Sequence, residues 1–317
     1  MTGWLGRMQW GLLGLAWLLM AGTAVAASVP APDSAADRHS VLVLGRISDD
    51  PRAHHAQLQP LLDYVVSKMG DVGIREGRVL MARDVRQMAS YLRRDRVDWV
   101  TETDGTAVAL GQRAGARPLL LTERSGVRDY HTVFFVRQDS PVRQLQDLRG
   151  RRLALQTVAS TSAYLLPMMT LLEGGVTPVI LQDAEDAPSP DTVGYVFART
   201  EFNIAAFVSK GIVDAGAVSS VDWDDEQSMP PAFKRNLRVI LRTDPYPRAV
   251  ELVRSDLDAC VRGRLRQVLL EAAADPDARQ ALQQFFGTSG FHRVDARMQG
   301  RLDDLKRGLG RVRMEVE

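Results

Sequence analysis

The chain has almost no cysteine: Cys260 is the one thiol in 317 residues. No internal disulfide can form, and a chain this long buries enough core to do without one. Cys260 lies in the apolar pattern Leu257, Cys260, Leu265, Val268, Leu269, which predicts a buried helix position and not a reactive thiol. An excess of one charge is missing too. The 40 basic and 39 acidic side chains nearly cancel and are interleaved, which argues against a nucleic-acid partner, since such binders carry a basic stripe. The sequence shows no repeats and no heptads, so solenoids and coiled coils are excluded. Catalytic signatures are also lacking: there is no Gly-x-Ser-x-Gly, no P-loop and no His-Glu-x-x-His. His54-His55 reads as a solvated helix end, not a metal site, and His39, His131 and His292 stand outside any nucleophile–base pattern. The expectation is a protein that is not an enzyme and uses no cofactor or metal, with a secreted enzyme as the remote alternative.

What is present begins at the N-terminus. Arg7 precedes the apolar run Gly11–Met20, and small residues lead to Ala24-Val25-Ala26. This is the layout of a secretory signal peptide, residues 1–26, cleaved after Ala26. No cysteine follows the run, so no lipid anchor is expected, and the protein is placed in the periplasm. Residues 27–38, rich in Ala, Ser, Pro and Asp, read as a flexible lead-in.

From residue 40 strand and helix signals alternate. Ser40–Leu44, Arg78–Met81, Val97–Val100 and Pro118–Leu121 are strand-like, with helices between them. A second series runs from His131–Val136 through Arg152–Leu155, Val179–Leu181, Gly194–Phe197 and Val213–Val218, with a helix over Ser162–Leu172. Leu237–Leu241 leads into the turn-rich Asp244-Pro245-Tyr246-Pro247, and Arg293–Leu309 reads as a terminal amphipathic helix. The fold class is α/β: two lobes, each a mainly parallel sheet flanked by helices, with a hinged cleft between them. Lobe 1 is expected over 39–129 plus 236–317, and lobe 2 over 130–235.

Several segments resemble, in order, the phosphonate/phosphite/phosphate-type (PhnD-like) substrate-binding proteins of ABC transporters, which have the type II periplasmic binding protein fold. They are Gln59–Val65, Arg96–Val100, Tyr130–Ser140, Leu145–Gly150, Ser160–Pro167, Lys210–Val218, Asp244–Pro247 and Gly290-Phe291, and together they span roughly residues 40–310. The resemblance implies a monomeric periplasmic protein that captures a small oxyanion-containing ligand by hinge closure for an ABC importer permease. A membrane sensor as partner is the alternative, and neighbouring genes would separate the two.

Five loops are candidate ligand contacts. Ser160, Thr161 and Ser162 open a helix, where hydroxyls and unpaired N–H groups cradle an oxyanion. In the family the loop Thr101–Thr106 usually carries aromatic and small residues, including a ligand-contacting Tyr; here Thr101 and Glu102 take that place, with Asp104 or Thr106 expected to cap the helix. Glu201 stands where phosphonate binders tend to have a His, and Ser219 where the family often has an acid. Ser48, in Arg46–Asp50, is expected at the cleft mouth. Two carboxylates near a cleft disfavour a doubly charged ligand unless Arg46 or Arg199 offsets them. A phosphonate, a zwitterion, an amine-bearing ligand and a different oxyanion all stay open.

Overall fold

Apolar strands followed by helices build two six-stranded sheets in the computed structural model, which describes residues 40–316. The signal peptide and lead-in expected from the sequence lie outside the described residues. The first stretch is β1 (Val41–Ile47), α1 (Pro51–Ser67), β2 (Glu76–Ala82), α2 (Val85–Arg93), β3 (Trp99–Glu102), α3 (Asp104–Ala114) and β4 (Arg117–Arg124). A short strand, β5 (Asp129–Tyr130), crosses to the second unit. That unit contains β6 (Thr132–Arg137), β7 (Arg152–Leu155), α4 (Leu166–Glu173), β8 (Thr177–Ile180), β9 (Thr192–Phe197), α5 (Glu201–Ser209), β10 (Ala215–Ser219), α6 (Ser220–Asp224), α7 (Pro231–Lys234) and β11 (Leu237–Arg242). The chain returns through β12 (Tyr246–Pro247) to β13 (Val250–Val253), α8 (Ala259–Ala272), α9 (Arg279–Gln284), β14 (Thr288–His292) and α10 (Ala296–Glu315).

The first sheet has the order β14-β4-β13-β3-β1-β2 and the second β11-β6-β10-β7-β9-β8. Only β13 and β14 oppose the other strands of the first sheet, and only β6 opposes those of the second. Each sheet is thus mainly parallel and covered by helices, so its central strands are apolar on both faces. Leu42, Leu44, Trp99 and Val100 are fully buried in one sheet, and Val133, Phe134, Phe135 and Val136 in the other. The two crossings, β5 and β12, pair antiparallel with each other. Two adjacent crossings are the natural pivot between two rigid bodies.

The structure shifts several expectations. Leu237–Arg242 pairs with β6 and is an edge strand of the second sheet, so the chain returns at Tyr246 and not at residue 236. The expected helix over Ser162–Leu172 is broken. Ser160 caps a wide turn over Thr161–Leu165, Ala163 is non-helical, and α4 starts at Leu166. Pro167 has no N–H to give the Ala163 carbonyl four residues back, and that carbonyl instead accepts from Gln156 N at 3.1 Å. The terminal helix starts later and runs further than its apolar pattern suggested. Asp295 caps it, and its Gly308 passes close to Met169 of the second unit while Lys306 O accepts from Gln112 of the first. Cys260 is exposed. The buried stripe of α8 is Leu265, Val268, Leu269 and Ala272; it runs back through Val261, and one residue further turns Cys260 about 100° off that face.

One polar group sits inside the first sheet. Glu251 of β13 is fully buried and accepts from Trp99 Nε1 (2.6 Å), Thr101 Oγ1 (2.8 Å) and Thr122 Oγ1 (2.5 Å). A buried acceptor matched by three donors is tolerated; three buried donors without it are not. Glu251→Ala is expected to cost about 3 kcal/mol or more, from the orphaned donors and the cavity together. Urea unfolding of the two proteins checks this, and a loss under about 1 kcal/mol would show that the cluster contributes little to stability.

Candidate ligand site between the lobes

A parallel strand followed by a helix puts every helix start at the same end of its sheet. The starts at Asp50, Thr103, Ser160, Thr200 and Ser219 all follow the C-terminal ends of strands or of the loops leaving them. Each start carries N–H groups without helical partners and the positive end of the helix dipole.

Two of these starts meet across the lobes. Gly105 N of α3 lies 3.2 Å from Thr161 Oγ1, and Thr161 Oγ1 lies 3.4 Å from Thr103 Oγ1. A Cβ on Gly105 would stand 2.6 Å from Thr161 Oγ1, so only glycine permits this approach. Beside the contact, Asp104 is fully buried. Its Oδ1 accepts from Gly105 N (2.9 Å) and from Tyr130 OH (3.1 Å) on β5, while Oδ2 is buried without a hydrogen bond. Burial pushes the Asp104 carboxyl up to about 7, against the pull of these donors. Burial, and next Asp104 itself, push the Tyr130 phenol well above its ordinary value.

The other candidate residues fall into two groups. Thr161, Ser162, Ser219, Ser48 and Glu102 are buried along the gap-facing ends of the strands. Ser160 is the cap of its turn, accepting from Ala163 N at 3.1 Å. The Ser162 carbonyl is held by Thr132 Oγ1 at 2.7 Å, whereas its own hydroxyl makes no hydrogen bond to any described residue. Ser219 caps α6 through Asp222 N (3.0 Å) and also donates to the Asp222 carboxylate (2.5 Å). Ser48 shares a 2.6 Å hydrogen bond with His54 Nδ1. Glu102 accepts from Ile47 N at 2.8 Å, and burial raises its pKa. Burial, and secondarily Asp222, also raise that of Glu201 at the start of α5. Thr101 is turned into the lobe, its hydroxyl taken by Glu251 and Arg124. The helix-cap expectation also changes: Thr103 holds the cap position, Asp104 is the first helical residue, and Thr106 only accepts from Thr103 Oγ1 at 3.4 Å.

A recess of about 930 Å³ lies elsewhere, lined by Val43, Leu80, Asp98, Arg254 and Leu257. It lies at the opposite end of the first sheet, and Asp98 there is already paired with Arg254 (2.8 Å) and Val43 N (2.9 Å).

Residues 46–298 match the family model of the ABC transporter, phosphonate, periplasmic substrate-binding protein. The chain belongs to this family. XAC2383 from Xanthomonas citri, solved bound to ATP, is 56% identical over 88% of this chain and 100% of its own, with a TM-score of 0.82. The same protein bound to chloride ion gives 57% identity over 86% and 99%, with a TM-score of 0.81. PhnD1 from Prochlorococcus marinus in complex with methylphosphonate shares the fold at 17% identity, covering 86% of this chain and 98% of that one, with a TM-score of 0.59. As a member of the PhnD-like family the chain is a periplasmic ligand-binding component of a transporter with a permease partner.

Sequence reasoning missed Asp104 as anything but a cap and gave Arg124 and Phe286 no role. Asp104 gains its environment from Tyr130 and Thr161, which are distant in sequence. The Asp104 proton gives a pH test. Its folded pKa, about 7, is above the ordinary value of 3.8, so its contribution is present in full below about pH 4 and is lost as pH rises toward 7. Relative to Asp104→Asn, the wild type should therefore lose about 3 kcal/mol between pH 4 and 7. Parallel pH profiles of the two proteins would show no divergence if Asp104 ionised as an ordinary carboxylate.

Proposed function

We propose that this protein captures a small ligand bearing a phosphoryl- or phosphonyl-type oxyanion between its lobes and delivers it to an ABC importer without altering it. The observation that carries the reading is the meeting of Thr161 with Thr103 and Gly105, helix starts from different lobes, at hydrogen-bond range. An oxyanion seated there would find hydroxyls and N–H donors from both sides, which is how a ligand favours the closed state over the open one. The free Ser162 hydroxyl supplies a further donor. The ligands named for the family relatives (ATP, chloride and methylphosphonate) are anions or, for ATP, polyanions. In this reading the protein reaches the periplasm by cleavage after Ala26, carries no lipid anchor and acts as a monomer.

Thermal shift with phosphate, methylphosphonate and ATP tests it, because binding to the native state raises the apparent melting temperature. Thr161→Ala should weaken binding about tenfold, the value of one hydrogen bond to a charged group. It should leave the melting temperature of the empty protein nearly unchanged. Gly105→Ala should weaken binding as well, by holding the lobes apart. Wild-type protein that gains no stability from any of the three compounds would end the proposal, and unchanged affinity in Thr161→Ala would remove this contact from the site.

A further inference from the structure

Two arginines at the gap-facing end of the first lobe form no salt bridge with any described residue. Arg46 is the next-to-last residue of β1 and Arg124 the last of β4, two parallel-running strands, so both emerge at the sheet end that carries the helix starts. Their guanidiniums converge on one residue. Arg46 Nη1 donates to Thr101 O (3.3 Å) and Arg124 Nη2 to Thr101 Oγ1 (2.9 Å). Both also pack on the ring of Phe286, with Cζ 4.4 and 4.3 Å from its centroid. Phe286 adopts φ +55°, a conformation unusual for a bulky residue, and so holds its ring in place at some cost.

Those are all the polar contacts the two arginines make among the described residues, and neither forms an ion pair. Arg124 is 6% exposed, and the Nε atoms of both are buried without a partner. A buried cation with unmet donors is costly, and an anion relieves that cost. The facing groups supply it only in part. Glu251 is committed to Trp99, Thr101 and Thr122, and Glu102 to Ile47 N. Burial raises the pKa of both carboxyls against the pull of Arg46 and Arg124 on Glu102 and of Arg124 on Glu251, so these acids offset the arginines only in part. His54 from α1, tied to Ser48 and 5.9 Å from the Phe286 ring, has its pKa lowered by burial and by Arg46, so it adds little charge.

We propose that Arg46 and Arg124, packed together on Phe286, hold a second anionic group of the ligand, so that the protein selects compounds with two linked phosphoryl-type groups over those with one. This rests on the reading that the first such group sits at Thr161. The two positions are joined by a single loop: the arginines touch Thr101, and Thr161 touches Thr103 and Gly105. Four residue steps span at most about 14 Å, so one small ligand can reach both ends. Guanidinium forks suit phosphoryl oxygens, and their stacking on an aromatic ring fixes their planes in advance.

Calorimetric titration with pyrophosphate and with methylphosphonate tests this on wild type, Arg46→Gln, Arg46→Lys and Arg124→Gln. Circular dichroism confirms that each variant is folded. Arg46 is half-buried, so Arg46→Gln keeps the test decisive even where Arg124→Gln fails to fold. Pyrophosphate should bind wild type more tightly than methylphosphonate does, and each Gln variant should lose at least about tenfold for pyrophosphate but under about threefold for methylphosphonate. Arg46→Lys should fall between. Variants that bind both compounds as wild type does would overturn the arginine role and leave the Thr161 site standing. Equal losses for both compounds would show that the arginines belong to the first group's site, and the two-group inference would fall. Wild type that binds neither compound would remove both this inference and the function on which it rests.

Discussion

Unpaired N–H groups at helix starts are the constraint on which this molecule turns. A helix in a βα unit cannot satisfy its first four N–H groups internally, and parallel strands deliver those groups to one edge of each sheet. Two such edges face each other here, joined by the paired crossings β5 and β12. Helix starts aimed from both sides make a site for negative charge before any side chain is chosen. The side chains then refine it. Hydroxyls of Ser160 and Ser219 occupy cap positions in their own turns, while Thr161 reaches across to the partner lobe.

Charge in the gap is arranged, not simply accumulated. Of the two carboxylates that the sequence set against an anion, Glu102 is held by a backbone N–H; the buried acids beside it are matched as well, Glu251 by three donors and Asp104 by Gly105 and Tyr130. Desolvation drives all three toward their neutral forms. The arginines are treated the other way: Arg124 is buried and Arg46 half-buried, each with its Nε unmatched. Burial, together with neighbouring Arg46, lowers the Arg124 pKa to about 9, which still leaves it a cation at neutral pH. Local positive charge thus comes from the placement of near-equal numbers of acids and bases, which the chain-wide balance hides.

The fold was legible because its signals are local. Val41–Leu44 and His131–Val136 are short apolar runs that read as buried strands, the first parallel to its neighbours and the second antiparallel, and turn residues separate them from helical stretches. Ser160-Thr161-Ser162 was legible as a helix start for the same reason. What escaped the sequence depends on contacts between distant residues. Arg124, Arg46 and Phe286 come together only because β1, β4 and β14 share a sheet. The Ala163 break needed both Pro167 and a competing donor, Gln156, and only the former is visible locally. Cys260 was misplaced because a stripe read one residue out of phase looks equally apolar; the turn Asp258 caps decides the phase. The return of the chain was read too early because β11 is as apolar as a strand of either sheet, and register with β6, not composition, assigns it.

The central claim is that the lobes close on a bound anion at Thr161 and Gly105. The most direct measurement is a pulsed electron paramagnetic resonance distance between spin labels on opposite lobes, at Ala56→Cys and Glu226→Cys, both exposed positions. The exposed native thiol is first removed as Cys260→Ser. Saturating methylphosphonate should replace a broad distribution with a narrower, shifted one, and adding Gly105→Ala should prevent the change. A distribution that stays the same with and without the ligand would contradict the account.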